Sequence, residues 1–204
     1  MHAVISLGLG YLLGSISPAS LVAKVKKINL KETGTGNLGA TNTAFVIGKT
    51  AGIFVMFIDI LKSFFSARIA KYLFPQLAAA GLIACIGAIL GHCFPVLHHF
   101  QGGKGLAAFG GMVLAYKPVF FLQIVIPGVI LMLITDSGAV MPVLASSMFP
   151  VLIWLHHGNW QEVVLAVIAG WILLCVHRTN LQDARKKDDG IFVREFFRKV
   201  FHKE

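Results

Sequence analysis

Apolar residues run along this chain in long blocks rather than in alternation with polar ones. The blocks cover 3–23, 51–73, 77–97, 106–116, 118–135, 139–156 and 160–177, separated by short polar connectors. Most of them approach the roughly 20 residues that a helix needs to cross a bilayer core. The pattern predicts an all-α integral membrane bundle of about seven transmembrane helices. The fourth block is short, which suits a tilted, interfacial or half-spanning helix. Pro95, Pro118, Pro127, Pro142 and Pro150 fall inside or at the ends of blocks. Membrane helices tolerate proline where neighbours re-satisfy the freed backbone groups. The first block is too long for a signal-peptide core and lacks a basic leader, so it reads as a retained first helix. No repeat interrupts the pattern. A single membrane domain over 1–204 is expected, with a basic cytoplasmic tail over about 178–204.

Composition sharpens this picture. The chain is 56% hydrophobic and 13% charged, against roughly 25% charged in a soluble domain. The formal net charge is +9, and in a membrane protein the position of the charges matters more than their sum. With the N-terminus outside, the inside segments hold Lys24, Lys26, Lys27, Lys31, Lys49, Lys104 and the eight Lys and Arg residues from Arg178 to Lys203. The outside segments and adjacent helix ends hold only Arg68, Lys71 and Lys117. Fourteen against three places the C-terminus in the cytoplasm. A basic face of this kind has anionic lipid headgroups as its natural neighbours. No basic motif interleaved with aromatic residues points to nucleic acid.

Three inside segments concentrate polar residues that a plain bundle does not need. The first runs Thr33-Gly34-Thr35-Gly36-Asn37-Leu38-Gly39-Ala40-Thr41-Asn42. Glycines at this density let backbone N–H groups converge on an anion, and Asn37, Thr41 and Asn42 add side-chain donors. A flexible loop with helix-capping Thr and Asn fits the same residues. The second holds Gly91-His92-Cys93-Phe94-Pro95 and then Gly102-Gly103-Lys104-Gly105. A lysine framed by glycines at the start of an apolar helix suits phosphate, because the helix end supplies N–H groups and a positive dipole. It is no Walker A loop, since neither Ser nor Thr follows the lysine. The competing reading is a lysine snorkelling from a helix end. The third, His177-Arg178-Thr179-Asn180, offers a general base, a phosphate ligand or a membrane-edge histidine.

Other candidates say less. His98, His99, His156 and His157 lack ligand spacing and a carboxylate companion, so no metal site is expected. Cys85, Cys93 and Cys175 suit buried reduced thiols. Asp59 and Lys62 stand three apart in the second block and share a helix face. Charges inside a membrane are functional suspects, although a structural ion pair between helices accounts for them equally well.

In order and spacing, these motifs resemble the bacterial acyl-phosphate-dependent glycerol-3-phosphate acyltransferases of phospholipid synthesis. The resemblance is carried by Gly14-Ser15, Gly36-Asn37-Leu38-Gly39-Ala40-Thr41-Asn42, Asp59 with Lys62, and Gly91-His92-x-Phe94-Pro95. Phe100-x-Gly102-Gly103-Lys104-Gly105 and His177-Arg178-x-Asn180 extend it from residue 14 to residue 180. It implies a seven-helix enzyme of the bacterial inner membrane with its site at the cytoplasmic interface. It further implies acyl transfer from acyl phosphate to the 1-hydroxyl of glycerol 3-phosphate, giving lysophosphatidic acid and phosphate without a cofactor. Lys104 and the loop holding Thr35, Gly36, Asn37, Gly39, Thr41 and Asn42 would bind phosphate, with Gly102, Gly103, Gly105 and Arg178. His177 and Asn180 would orient the acceptor, and His92 would organise the site. An acyl phosphate is already activated, so no nucleophilic side chain is demanded. Proton removal falls to His177 or to substrate phosphate.

The chain departs from the family pattern in places. Phe45 stands where the family has Arg, and Thr35 where it has Ser. Asp136-Ser137-Gly138-Ala139-Val140-Met141-Pro142 replaces a serine-containing patch, and Asp183 stands where a further Arg is common, with Asp188 and Asp189 following. A hydrogen bond to a charged group is worth roughly 1.5–3 kcal/mol, and Phe has no substitute for a guanidinium. Two alternatives therefore accompany the acyltransferase reading: a divergent paralogue with another acceptor or acyl-phosphate hydrolysis, and a non-catalytic membrane protein that binds lipid or an anion.

Overall fold

The computed structural model describes residues 1–157 and 159–185 together with 193 and 200; most of the basic tail, with Asp188 and Asp189, lies outside the described residues. Those described form helices and connectors, with no strand among them. The chain divides into two compact units, Met1–Ala115 and Tyr116–Glu204.

In the first unit the helices are α1 His2–Gly14, α2 Pro18–Lys26, α3 Ala40–Val46, α4 Lys49–Leu73, α5 Ala80–Cys93 and most of α6, Leu106–Tyr116. The first apolar block is therefore not one continuous helix. It breaks at Ser15-Ile16-Ser17, where Pro18 can donate no hydrogen bond and opens a new helix. Ser17 caps that helix by accepting from Ser20 N–H at 3.2 Å. Both pieces together remain long and apolar enough to cross a bilayer, as do Ala80–His98 and Pro118–Thr135. At 25 residues α4 reaches about 37 Å at about 1.5 Å per residue, although it carries four charges between Asp59 and Lys71.

The α1–α5 contact is made by small residues. Gly10 and Gly14 of α1 and Gly87 and Gly91 of α5, each pair spaced four apart, lie against the backbone of the other helix. A Cβ on Gly10 would run into the Ala84 backbone and one on Gly14 into that of Ala88; one on Gly87 would meet Leu7 O and one on Gly91 Tyr11 O. Such spacing lets backbones approach closely where lipid gives no hydrophobic drive for helix association. Gly111 of α6 approaches the backbone of Ile60 in α4 in the same way. Helix α5 is accordingly the interior element of this unit, and nearly all of it is buried.

In the second unit α7 Pro118–Thr135, α8 Val140–His157, α9 Trp160–Val176 and α10 Arg178–Arg185 follow in order, each packed against the next. Tyr116 donates to Glu162 at 2.7 Å and packs edge-on against Phe149. Leu122, Ile126, Ile130, Trp154 and Trp171 are exposed, an apolar surface that suits acyl chains rather than water.

Candidate functional site

The first polar loop is shaped by one side chain. Asn42, fully buried in α3, accepts from Thr35 N–H at 2.7 Å and donates to Leu30 O at 2.9 Å and Thr33 O at 3.1 Å. Both ends of its amide thus bond to the loop's own backbone. Gly36 turns the loop at φ 69°, a conformation that glycine adopts without strain. Gly39 opens α3, and its carbonyl accepts from both the N–H and the hydroxyl of Thr43. Thr35, Gly36 and Thr41 remain exposed, with Asn37 half-buried.

The second loop lies along the end of α5. Gly102 N–H donates to Cys93 O at 3.1 Å and Gly103 N–H to His92 O at 3.0 Å. These positions must be glycine because of what surrounds them. A Cβ on Gly102 would meet His92 O and the Pro95 ring; one on Gly103 would meet the His92 imidazole and, at 2.9 Å, Leu38 O. The second contact shows that the two glycine-rich loops adjoin each other. Gly105, at φ 80°, turns the chain into α6 immediately after Lys104, which is half-buried. Outside this cradle Lys31 donates to Gln101 Oε1 at 3.1 Å, and Tyr11 of α1 donates to Phe94 O at 2.8 Å.

Beneath the loops lies a buried polar cluster. Lys62 Nζ is 2.8 Å from Asp59 Oδ1, 2.8 Å from His92 Nδ1 and 2.9 Å from Ile16 O. The side chains of Asp59 and Lys62 are 2% and 5% exposed, which is tolerable inside a bilayer only because the charges neutralise one another and their hydrogen bonds are met. Ile16 O is the carbonyl freed at the helix break, and Lys62 replaces the lost N–H donor. Sequence alone gives the Asp59–Lys62 pair and singles out His92; the link to the broken helix is new, although Ser17-Pro18 signals the break.

The second unit holds the third motif. His177 is buried at the end of α9. Its Nδ1 lies 2.9 Å from Leu173 O, and since a carbonyl only accepts, the proton sits on Nδ1 and the lone pair on Nε2. Arg178 is exposed and Asn180 half-buried. An open cleft in this unit is lined by Val143, Leu144, Leu174 and Leu181 with Ser137 and Ser147.

Comparison with known proteins bears on this arrangement. A family profile described as glycerol-3-phosphate acyltransferase matches residues 4–187. The glycerol-3-phosphate acyltransferase of Enterococcus faecalis is 36% identical over 192 residues, covering 89% of this chain and 88% of the relative. That of Aquifex aeolicus is 33% identical over 183 residues, covering 89% and 94%. Among solved structures, the glycerol 3-phosphate form of an integral membrane glycerol 3-phosphate acyltransferase superposes with a TM-score of 0.87 at 29% identity, covering 94% of this chain and 96% of that one. Its lysophosphatidic acid form gives 0.85 at 28% identity, covering 94% and 95%.

Proposed function

The chain belongs to the glycerol-3-phosphate acyltransferase family, and from that membership we infer that it acylates glycerol 3-phosphate to lysophosphatidic acid in the inner membrane of a bacterium. It is a multi-pass membrane enzyme of phospholipid synthesis. The donor is an acyl phosphate. The acceptor's 1-hydroxyl oxygen bonds to the acyl carbon, the bond from that carbon to the phosphate oxygen breaks with its electron pair, and phosphate departs. The hydroxyl proton ends on that phosphate.

A mixed anhydride needs no covalent intermediate on the protein. It needs its phosphate held, its developing charge met by fixed donors, and the acceptor hydroxyl aligned. One observation supports assigning that task to the first unit: the two glycine-rich loops adjoin at Leu38 and Gly103, the first held by the buried Asn42 side chain and the second by the backbone carbonyls of His92 and Cys93. Thr35, Asn37 and Thr41 supply side-chain donors and Lys104 the charge, while Gly36, Gly102 and Gly103 shape the two loops, their own N–H groups bonded to Thr33 O, Cys93 O and His92 O. His177 and Asn180 keep the acceptor-orienting role, and Arg178 the phosphate-binding role, that the family resemblance implies. Seven crossings with the basic segments in the cytoplasm complete the reading.

The test is lysophosphatidic acid formation by purified protein from palmitoyl phosphate and glycerol 3-phosphate, beside a Lys104→Ala variant. Product from the wild type and a large loss in the variant are expected. Full activity in Lys104→Ala would remove the loop from the phosphate site. Phe45 favours one variant of the reading, a different phosphorylated acceptor, and strict dependence on glycerol 3-phosphate would dispose of it.

A further inference from the structure

The ammonium of Lys62 has three N–H donors and no acceptor. Three groups surround it at bonding distance: Asp59 Oδ1 at 2.8 Å, Ile16 O at 2.9 Å and His92 Nδ1 at 2.8 Å. The first two can only accept, and a protonated Nδ1 at 2.8 Å would set one N–H against another. With Lys62 as the ammonium, Nδ1 is the lone-pair nitrogen, and the imidazole is neutral with its proton on Nε2. The 3.2 Å approach of His92 Nδ1 to Asp59 Oδ1 is then a contact between two acceptors that share one cation, not an ion pair. Lys62 outcompetes Asp59 for Nδ1 because its contact is the shorter.

The other edge of the ring determines what this does. Nε2 and Cε1 are the atoms that a Cβ on Gly103 would strike first, ahead of Leu38 O at 2.9 Å. That edge therefore faces the junction of the two glycine-rich loops. We propose that Lys62, held by Asp59 and by the carbonyl freed at the helix break, is a positioning residue that fixes His92 with Nε2–H toward the Gly102–Gly105 loop, making His92 an added donor in the anion cradle. This rests on the reading of that loop as a phosphate site. With the opposite tautomer, the same ring would turn a lone pair on the anion, so a donor would become a repulsive contact. Asp59 serves as the counter-charge that lets an ammonium stay protonated at this depth.

The direct test needs no substitution. Protein labelled with ¹⁵N in the histidine rings, in lipid nanodiscs, reports each tautomer, and the signal missing from His92→Gln assigns His92. A neutral ring protonated on Nε2 is expected; an Nδ1-protonated ring or an imidazolium would overturn the assignment. In Lys62→Met the proton should move to Nδ1, onto Asp59, and KM for at least one phosphate substrate should rise about tenfold to a hundredfold, the loss of one hydrogen bond to a charged group, with kcat changed far less. His92→Gln, whose amide nitrogen falls near the Nε2 position, should keep a lower KM than His92→Asn. Equal KM values in Gln and Asn variants would show that His92 only fills space. The two levels fail separately: an unchanged KM in Lys104→Ala sinks the phosphate reading of the loop, yet leaves the wild-type ring spectrum as evidence on the tautomer.

Discussion

Replacing Asn42 with Ala should loosen the first glycine-rich loop without touching the rest of the fold. Asn42 makes three hydrogen bonds to loop backbone, of which the one to Leu30 O is fully buried and those to Thr33 O and Thr35 N–H partly so. A buried group left without its partner costs about 1–3 kcal/mol, and an ordinary hydrogen bond contributes about 0.5–1.5 kcal/mol. Together the three bonds hold the loop by about 2–6 kcal/mol. The lower end corresponds to about a thirtyfold rise in the population of the open loop. Hydrogen–deuterium exchange on peptides covering 29–42 should therefore speed up by about that factor or more, while peptides of α5 exchange as before. KM for the phosphate substrates should rise in parallel. An Asn42→Asp variant sharpens the test. Its carboxylate keeps the acceptor for Thr35 N–H but sets negative charge against the Leu30 and Thr33 carbonyls, so it should do more harm than Ala despite its matching shape. If both variants exchange and bind as the wild type does, the loop is not held by this side chain, and the argument from Asn42 to a preformed cradle is refuted.

Phe45→Arg, which restores the residue usual in the family, should lower KM for glycerol 3-phosphate about tenfold or more if the guanidinium reaches phosphate; steady-state kinetics decides it, and an unchanged KM means another group already fills that role. Gly87→Val, which drives a side chain into the Leu7 and Tyr11 backbone, should lower the thermal denaturation midpoint in detergent by several degrees, since overpacking costs about 1–3 kcal/mol or more; an unaltered midpoint would contradict the close α1–α5 approach. His177→Ala should cut kcat by about a hundredfold or more if Nε2 takes the hydroxyl proton, whereas a small loss, measured as lysophosphatidic acid release, would leave proton transfer to the phosphate.

Much of this was legible in the sequence because hydropathy acts locally. The 106–116 and 118–135 blocks coincide with α6 and α7, since in lipid a helix satisfies its own backbone whatever surrounds it. Two helices escaped. Residues 40–46 carry Thr and Asn, which compete for backbone bonds and read as loop, and α10 is polar apart from Leu181 and Ala184. The break at Ser15-Ile16-Ser17 vanished into an apolar block, although Ser17 followed by Pro18 is a helix-start signal. The four-residue spacing of Gly10 with Gly14 and of Gly87 with Gly91 was also available, and only their mutual packing needed coordinates. Motif order singles out candidate site residues, but not the contacts each one makes. Whether Asn42 faces an anion or its own loop, and which ring nitrogen of His92 faces Gly103, depends on contacts between residues 7 to 33 positions apart in the chain.

The bond from Lys62 to Ile16 O also bears on how the chain is built. Synthesis delivers Ile16 to the membrane 46 residues before its capping cation exists, so that carbonyl must meanwhile keep to water or to the headgroup layer. The α4 helix, for its part, enters with Asp59 and Lys62 three residues apart, a pair that is neutral as a unit before any neighbour arrives. Only when α5 follows, with Gly87 and Gly91 seating α1 and His92 completing the ring of contacts, can the break be drawn inward. Nascent chains arrested before α5 should therefore hold α1 loosely.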